Sequence, residues 1–257
     1  MNYVIIGNGI AGTSAVEAIR EYDKKGRITV VSDETFKNYS KPMISYLLVK
    51  KVELSDIAHR EKAFYAENNV ELVLNNKAVK LDNQSIVLAS KKKLAFDKLL
   101  ICTGGTPIVP EIKGANCASR PAEGAGTPGV FTFTNLADEQ KIEKYIASNK
   151  VKEAIVIGGG LIGLKATEAL LELGIKVTIV ELADRILAAT FDKEASAIIE
   201  AALEKAGCAL YKNNTVVEVR AGSPRSLASK PLRSGRSRTG VAPALESGAA
   251  GVGKTVT

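Results

Sequence analysis

Two short runs of glycine carry the chemistry this sequence offers. Gly7, Gly9 and Gly12 in GNGIAG, and Gly158, Gly160 and Gly163 in GGGLIG, both read G-x-G-x-x-G. Between a strand and a helix, the first glycine of such a run allows a tight turn. The second lets a pyrophosphate approach the backbone, and the third lets the helix pack close to the strand. Ile10 and Ala11, and Leu161 and Ile162, open the two helices whose first N–H groups would face the phosphates. Beyond each run an acid closes a second β-branched stretch: Asp33 and Glu34 after ITVV, Glu181 after KVTIV. A carboxylate placed there takes the hydroxyls of a ribose. One such run alone is a weak signal, since glycine turns also serve plain packing. Two runs about 150 residues apart, each with its own strand, helix and acid, imply two dinucleotide sites.

Other candidate chemistry falls away on context. GAAGVGKT, Gly248 to Thr255, matches the phosphate-loop pattern G-x-x-x-x-G-K-[ST], but that loop needs a strand before it and a helix after it. Only Val256 and Thr257 follow, and the preceding TGVAPALES is no strand, so ATP hydrolysis is not expected. The single histidine, His59, lies in DIAHREKAFY, which reads as a polar helix with the imidazole on its solvated face. Cys102, Cys117 and Cys208 match neither a redox C-x-x-C nor a zinc spacing, so no metal site is expected and the thiols read as reduced. Nothing resembles a Ser-His-Asp or Cys-His set.

The elements that must hold these glycines follow from the hydropathy pattern. NYVII and RITVV read as strands flanking a helix whose apolar positions are Ala11, Ala15, Ala18, Ile19 and Tyr22, with Gly26 in the loop. EAIVI and KVTIV flank a second helix, Leu161 to Leu173, which Gly174 terminates. With 46% hydrophobic and 25% charged residues in 257, the composition is that of a globular protein. The fold class expected is α/β: two Rossmann-like three-layer dinucleotide-binding units followed by a tail. The boundaries read are 1–114, 115–219 and 220–257.

The tail is built from Ala, Gly, Ser, Arg and Pro and carries +6 of the net charge of +7, so the rest is nearly neutral and nucleic-acid binding is not expected. Its composition predicts disorder, because it offers too little apolar surface to offset chain entropy. The abrupt change near Val219 also suggests a shifted reading frame or misjoined end, a hypothesis that an intact frame in the coding DNA would remove. The apolar opening is broken by glycines and has no cleavage site, so neither a leader nor a membrane span is expected, and the cytoplasm is the expected compartment.

Two further segments complete a family pattern: NYSKPMISYLL, Asn38 to Leu48, and FDKLLICTGGTPIVPEIKG, Phe96 to Gly114. With the paired glycine turns, residues 1–219 resemble the FAD-dependent pyridine nucleotide-disulfide oxidoreductase superfamily. The branch resembled has no redox disulfide and contains rubredoxin reductases, ferredoxin reductases and NADH-dependent nitrite reductase. The resemblance implies FAD on Gly7, Gly9, Ile10, Ala11 and Gly12, with Asp33 or Glu34 on its ribose. It also implies FAD contacts from Lys41 and Pro42, from Thr103 and Gly104, and from the backbone at Ala78 and Val79. Lys41 is nominated as the residue nearest the redox centre. NAD is implied on Gly158, Gly160, Leu161, Ile162, Gly163 and Glu181. Because Glu181 would repel a 2′-phosphate and no arginine follows before Arg185, NADH is favoured over NADPH.

The activity implied is hydride transfer from NADH to flavin, then to a rubredoxin, ferredoxin or haem-linked electron-acceptor protein. Two residues depart from the pattern: Tyr46 stands where many relatives have lysine, and Lys165 where many have glutamate. The second FAD segment and interface domain of the superfamily are not recognisable after residue 219. The chain therefore reads as a truncated form, and the rival expectation is a catalytically inactive dinucleotide-binding fragment. Oligomeric state is not legible.

Overall fold

The computed structural model describes residues 1–115 and 127–220. Cys117, and the stretch 221–257 with its Gly248–Thr255 phosphate pattern, lie outside the described residues. The chain opens with β1 (Asn2–Ile6), α1 (Ile10–Tyr22) and β2 (Arg27–Val31). A 3-10 turn (Lys41–Met43) runs into α2 (Ile44–Leu48), and α3 (Phe64–Glu67) and β3 (Val70–Val73) follow. Next come β4 (Ala78–Asp82), β5 (Ser85–Leu88), β6 (Lys93–Ala95) and β7 (Lys98–Ile101). The rest is α4 (Leu136–Asn149), β8 (Glu153–Ile157), α5 (Leu161–Glu172), β9 (Lys176–Val180), α6 (Lys193–Lys205) and β10 (Ala209–Tyr211). Among the described residues no helix is long and apolar enough to cross a membrane.

The backbone divides into two compact units. One comprises Met1–Met43 and Val52–Thr106, the other Ile44–Lys51 and the described residues from Pro107 onward. In the first, β3, β2, β1 and β7 form a parallel sheet in that order, with Ile6 opposite both Val31 and Ile101. A parallel strand buried on both faces needs apolar side chains throughout. On one face Ile5, Ile28 and Val30 pack with Val16, Phe64 and Tyr65 of the helices. On the other, Val4 and Val31 pack with Ile86, Leu88 and Leu94 of the antiparallel β4-β5-β6 sheet. That gives three layers, and each fully buried side chain contributes roughly 1.5–3 kcal/mol.

In the second unit β10, β9 and β8 are parallel. Val177 and Ile179 face Leu164 and Leu170 of α5 and Ile199 and Leu203 of α6. Val180 faces Ile112, Val216 and Val219 instead. The short α2 packs against α4 and α5.

Two expectations change. The buried positions of α1 are Gly12, Thr13 and Val16, while Ala11, Ala18 and Tyr22 are exposed. Close approach at Gly12 turns the small residues toward β1, so the buried stripe lies one position round from the one read. DIAHREKAFY, residues 56–65, is helical only at Phe64 and Tyr65, which open α3. Ahead of that turn the backbone is engaged elsewhere: Ile57 O accepts from Ser40 N at 2.7 Å, and Arg60 N donates to Asn38 Oδ1 at 2.8 Å. His59 is therefore half-buried against α1, not on a solvated helix face.

Candidate functional site

The glycines differ in what surrounds them. Gly7 has φ +116 and a Cβ there would meet Cys102 O at 2.0 Å, so only glycine fits between the ends of β1 and β7. At Gly12 a Cβ would meet Gly7 O at 2.1 Å, and at Gly163 it would meet Gly158 O at 2.1 Å. These third glycines are packing residues. Around Gly9 and Gly160, in contrast, nothing stands within 4 Å of a Cβ. Open space lies over the second glycine of each turn.

The helices that begin there are bare at their N-termini. Gly9 and Gly160 are the N-caps of α1 and α5; neither helix has a side-chain cap or an acid in its first turn. Helices α4 and α6 do the opposite. Asn135 Oδ1 accepts from Asp138 N at 2.9 Å, Asp192 Oδ1 accepts from Ala195 N at 2.8 Å, and acids occupy both first turns. Uncapped N–H groups and the positive end of the helix dipole favour an anion. The first residues of the bare helices, Ile10 and Leu161, are 69% and 60% exposed, giving apolar surface beside each anion position. Both turns fit the pyrophosphate of a dinucleotide.

The strand ends can be aligned through their hydrogen bonds. Gly7 N donates to Val31 O and Gly158 N to Val180 O, both at 2.8 Å. One residue on, Ser32 O accepts from Asn76 N and Glu181 O from Asn214 N, both at 3.0 Å. Ser32, not Asp33 or Glu34, thus stands where Glu181 stands. Ser32 Oγ accepts from Glu34 N at 3.2 Å, as Glu181 Oε1 accepts from Ala183 N at 2.7 Å. Glu181 has a further bond, from Gly159 N to Oε2 at 2.5 Å, which fixes the carboxylate against the glycine turn. Arg185, four residues on, is tied to Asp184 Oδ1 and Ala188 O.

In the first unit Glu34 is held by Tyr39, whose OH donates to Oε2 at 2.5 Å, and by Lys41, whose Nζ lies 3.4 Å from Oε1. Lys41 is thereby brought to the predicted ribose acid, with Pro42 beside it on the 3-10 turn. Thr103 and Gly104 follow Cys102, whose backbone abuts Gly7, and Gly104 has φ +70 with open space around it. Ala78 and Val79 begin β4, just after Asn75 N has bonded Glu34 O at 3.0 Å. Sequence reasoning missed Ser32, Tyr39 and Thr13. Ser32 was readable by aligning TVVS with TIVE; nothing local marks the other two.

The two departures from the family pattern meet in the second unit. Lys165 Nζ donates to Tyr46 OH at 3.2 Å, lies 4.3 Å from the centre of its ring, and pairs with Glu168 Oε2 at 2.5 Å. Lys165 is therefore engaged and not a free surface lysine. Lys51 approaches the same ring at 6.0 Å and pairs with Glu172 at 2.7 Å. The Cys102 and Cys208 thiols are pushed up by burial, away from the reactive thiolate. Glu139, 2% exposed in the first turn of α4, is pushed up to about 7 by burial and by the neighbouring Glu143.

Residues 1–237 match the family of pyridine nucleotide-disulphide oxidoreductases. The chain belongs to that family. Among its relatives, the NAD(P)H nitrite reductase of Bacillus subtilis (strain 168) is 31% identical over 84% of this chain and 26% of its own length. The rubredoxin-NAD(+) reductase of Pseudomonas putida is 29% identical over 86% of this chain and 55% of its own. Of solved structures, an NAD-dependent persulfide reductase from A. fulgidus superposes with a TM-score of 0.75 at 28% identity, covering 86% of this chain and 41% of that one. The chain spans about half or less of the length of these family members.

Proposed function

We propose that residues 1–114 hold FAD and 115–219 hold NADH in a flavin-dependent NADH oxidoreductase. The observation that carries this reading is the pair of bare, glycine-led helix N-termini, where the other long helices among the described residues, α4 and α6, are capped. With both dinucleotides bound, they supply hydride transfer from nicotinamide to flavin, for delivery to a rubredoxin-, ferredoxin- or nitrite-reductase-type acceptor. The chain's own residues bind and orient. Gly9, Ile10 and Ala11 take the FAD pyrophosphate, with Gly7 and Gly12 setting the turn. Lys41 is the cation beside it, Asp33 or Glu34 takes the ribose, and Pro42, Ala78, Val79, Thr103 and Gly104 line the rest.

Gly160, Leu161 and Ile162, on the turn of Gly158 and Gly163, take the NADH pyrophosphate. Glu181 takes the adenosine ribose. Its fixed carboxylate disfavours a 2′-phosphate, and the engaged Arg185 offers no free guanidinium to neutralise one, which supports NADH over NADPH.

The test is to load the purified chain with FAD and add NADH without oxygen. Loss of the visible flavin band is the expected result. Flavin that stays oxidised while NADH binds saturably supports the rival reading, a dinucleotide-binding module without turnover. Failure to bind either dinucleotide overturns both.

A further inference from the structure

His59 is the one histidine of the chain, and it joins two parts of the first glycine site. Its Nε2 lies 3.1 Å from Thr13 Oγ1, in the first turns of α1 and fully buried. The ring also hydrogen-bonds the Tyr39 backbone. Tyr39 in turn holds Glu34 through its hydroxyl at 2.5 Å. One imidazole thus braces the helix that presents N–H groups to the anion and the residue that orients the ribose acid.

The bonding has a direction. A carbonyl only accepts, so the ring nitrogen facing Tyr39 O carries the proton of the neutral imidazole, and Nε2 is left to accept from the Thr13 hydroxyl. A second proton makes Nε2 a donor, and the hydroxyl must then turn. Gly9 O and Ile10 O, at 3.2 and 3.1 Å from Thr13 Oγ1, are there to receive it. The charged groups facing the ring are Glu17 from α1 and Arg60 from its own segment, which pair with each other at 2.7 and 2.8 Å. Glu34 and Lys41 stand beyond Tyr39 and are likewise paired. The charge on His59 is therefore not cancelled by a carboxylate of its own. Thr13 follows Gly9 by four residues, about 6 Å along a helix, so an anion over the turn is within electrostatic reach.

We propose that His59 is a positioning residue of the first dinucleotide site, and that its protonation state is coupled to occupancy of that site by an anionic dinucleotide. The proposal rests on the reading that FAD binds there. Burial holds the free imidazole below its ordinary value, so it is neutral in the empty site near neutrality. Bound phosphates stabilise the imidazolium, so binding takes up a proton and affinity rises as pH falls through the range between the free and bound values. A shift of about one unit corresponds to about tenfold in affinity across that range.

The experiment uses the whole untagged chain and FAD. The Cε1–H resonance of the one imidazole is titrated by NMR with and without FAD, and FAD affinity is measured between pH 5 and 8 for the wild type, His59→Gln and Thr13→Val. The expected result is an upward shift of the imidazole titration with FAD, and tighter wild-type binding at lower pH. His59→Gln, which keeps hydrogen-bonding capacity without a titrating charge, should bind FAD with a flat pH profile. An imidazole that titrates identically in both states, or a variant with the wild-type profile, overturns the coupling while leaving FAD binding intact. No FAD binding at any pH overturns the underlying reading and the coupling with it.

Discussion

The two glycine turns are alike in backbone and different in how the following strand end is secured. Both first glycines bond the last strand carbonyl at 2.8 Å, and both third glycines abut the first glycine's carbonyl. Yet Glu181 reaches back to the turn at Gly159 N, whereas the equivalent Ser32 is too short to do so and the acid lies two residues on, at Glu34. The middle residue differs to match. Gly159 leaves room for Glu181 and Ile186, while Asn8, at the matching position, is buried and accepts from Tyr65 OH at 2.7 Å. The lesson is that the turn is fixed at its first and third glycines, while the end of the following strand is built differently around it in each unit.

The largest effects should come from the third glycines. Gly12→Ala and Gly163→Ala each force a methyl against a backbone carbonyl at 2.1 Å, which cannot move without shifting the strand. Each should cost its own unit about 3 kcal/mol or more and abolish binding of that unit's dinucleotide alone. Separate FAD and NADH titrations check this; loss of both ligands in either variant would break the parallel between the units. Gly9→Ala and Gly160→Ala sharpen it. A methyl there meets nothing, so melting should move by no more than about 1 kcal/mol while the matching dinucleotide binds at least about tenfold more weakly.

The units should also respond to pH with opposite sign. Glu139 in the second is raised from 4.5 to about 7, so its stabilising neutral form is fully present below pH 4.5 and lost as pH rises through about 7. Glu139→Gln should therefore raise the melting temperature at pH 8 and not at pH 5, by up to roughly 3 kcal/mol in stability. His59 in the first unit is lowered by burial, so its contribution is present above its unfolded value and lost as pH falls. The smallest effect expected is from Glu181→Ser, which copies Ser32 into the second unit. NADH should bind up to about tenfold more weakly and the gap between NADH and NADPH should narrow, read from paired titrations.

Much of this was legible in the chain. The turns, their strands and their helices are written in local rules: glycine where no Cβ fits, β-branched runs where a strand is buried on both faces. The register of that strand end was legible too, from TVVS against TIVE, but Ser32 is no acid, and the acids that close ITVVSDE, Asp33 and Glu34, lie one and two residues on. The helix expected around His59 was not borne out, because polar side chains at helical spacing do not reveal that Asn38 and Ser40 take up that backbone.

By itself the sequence determined two glycine turns between strand and helix and the order of the elements that carry them, because glycine conformations and strand burial are properties of short segments. Tertiary structure alone decided which side chains complete each site. Tyr46 and Lys165 meet across 119 residues of chain, Thr13 and His59 across 46, and Glu139 owes its raised pKa to burial. The bonding and titration of a side chain depend on what folding places within a few ångströms of it, and sequence spacing does not record that distance.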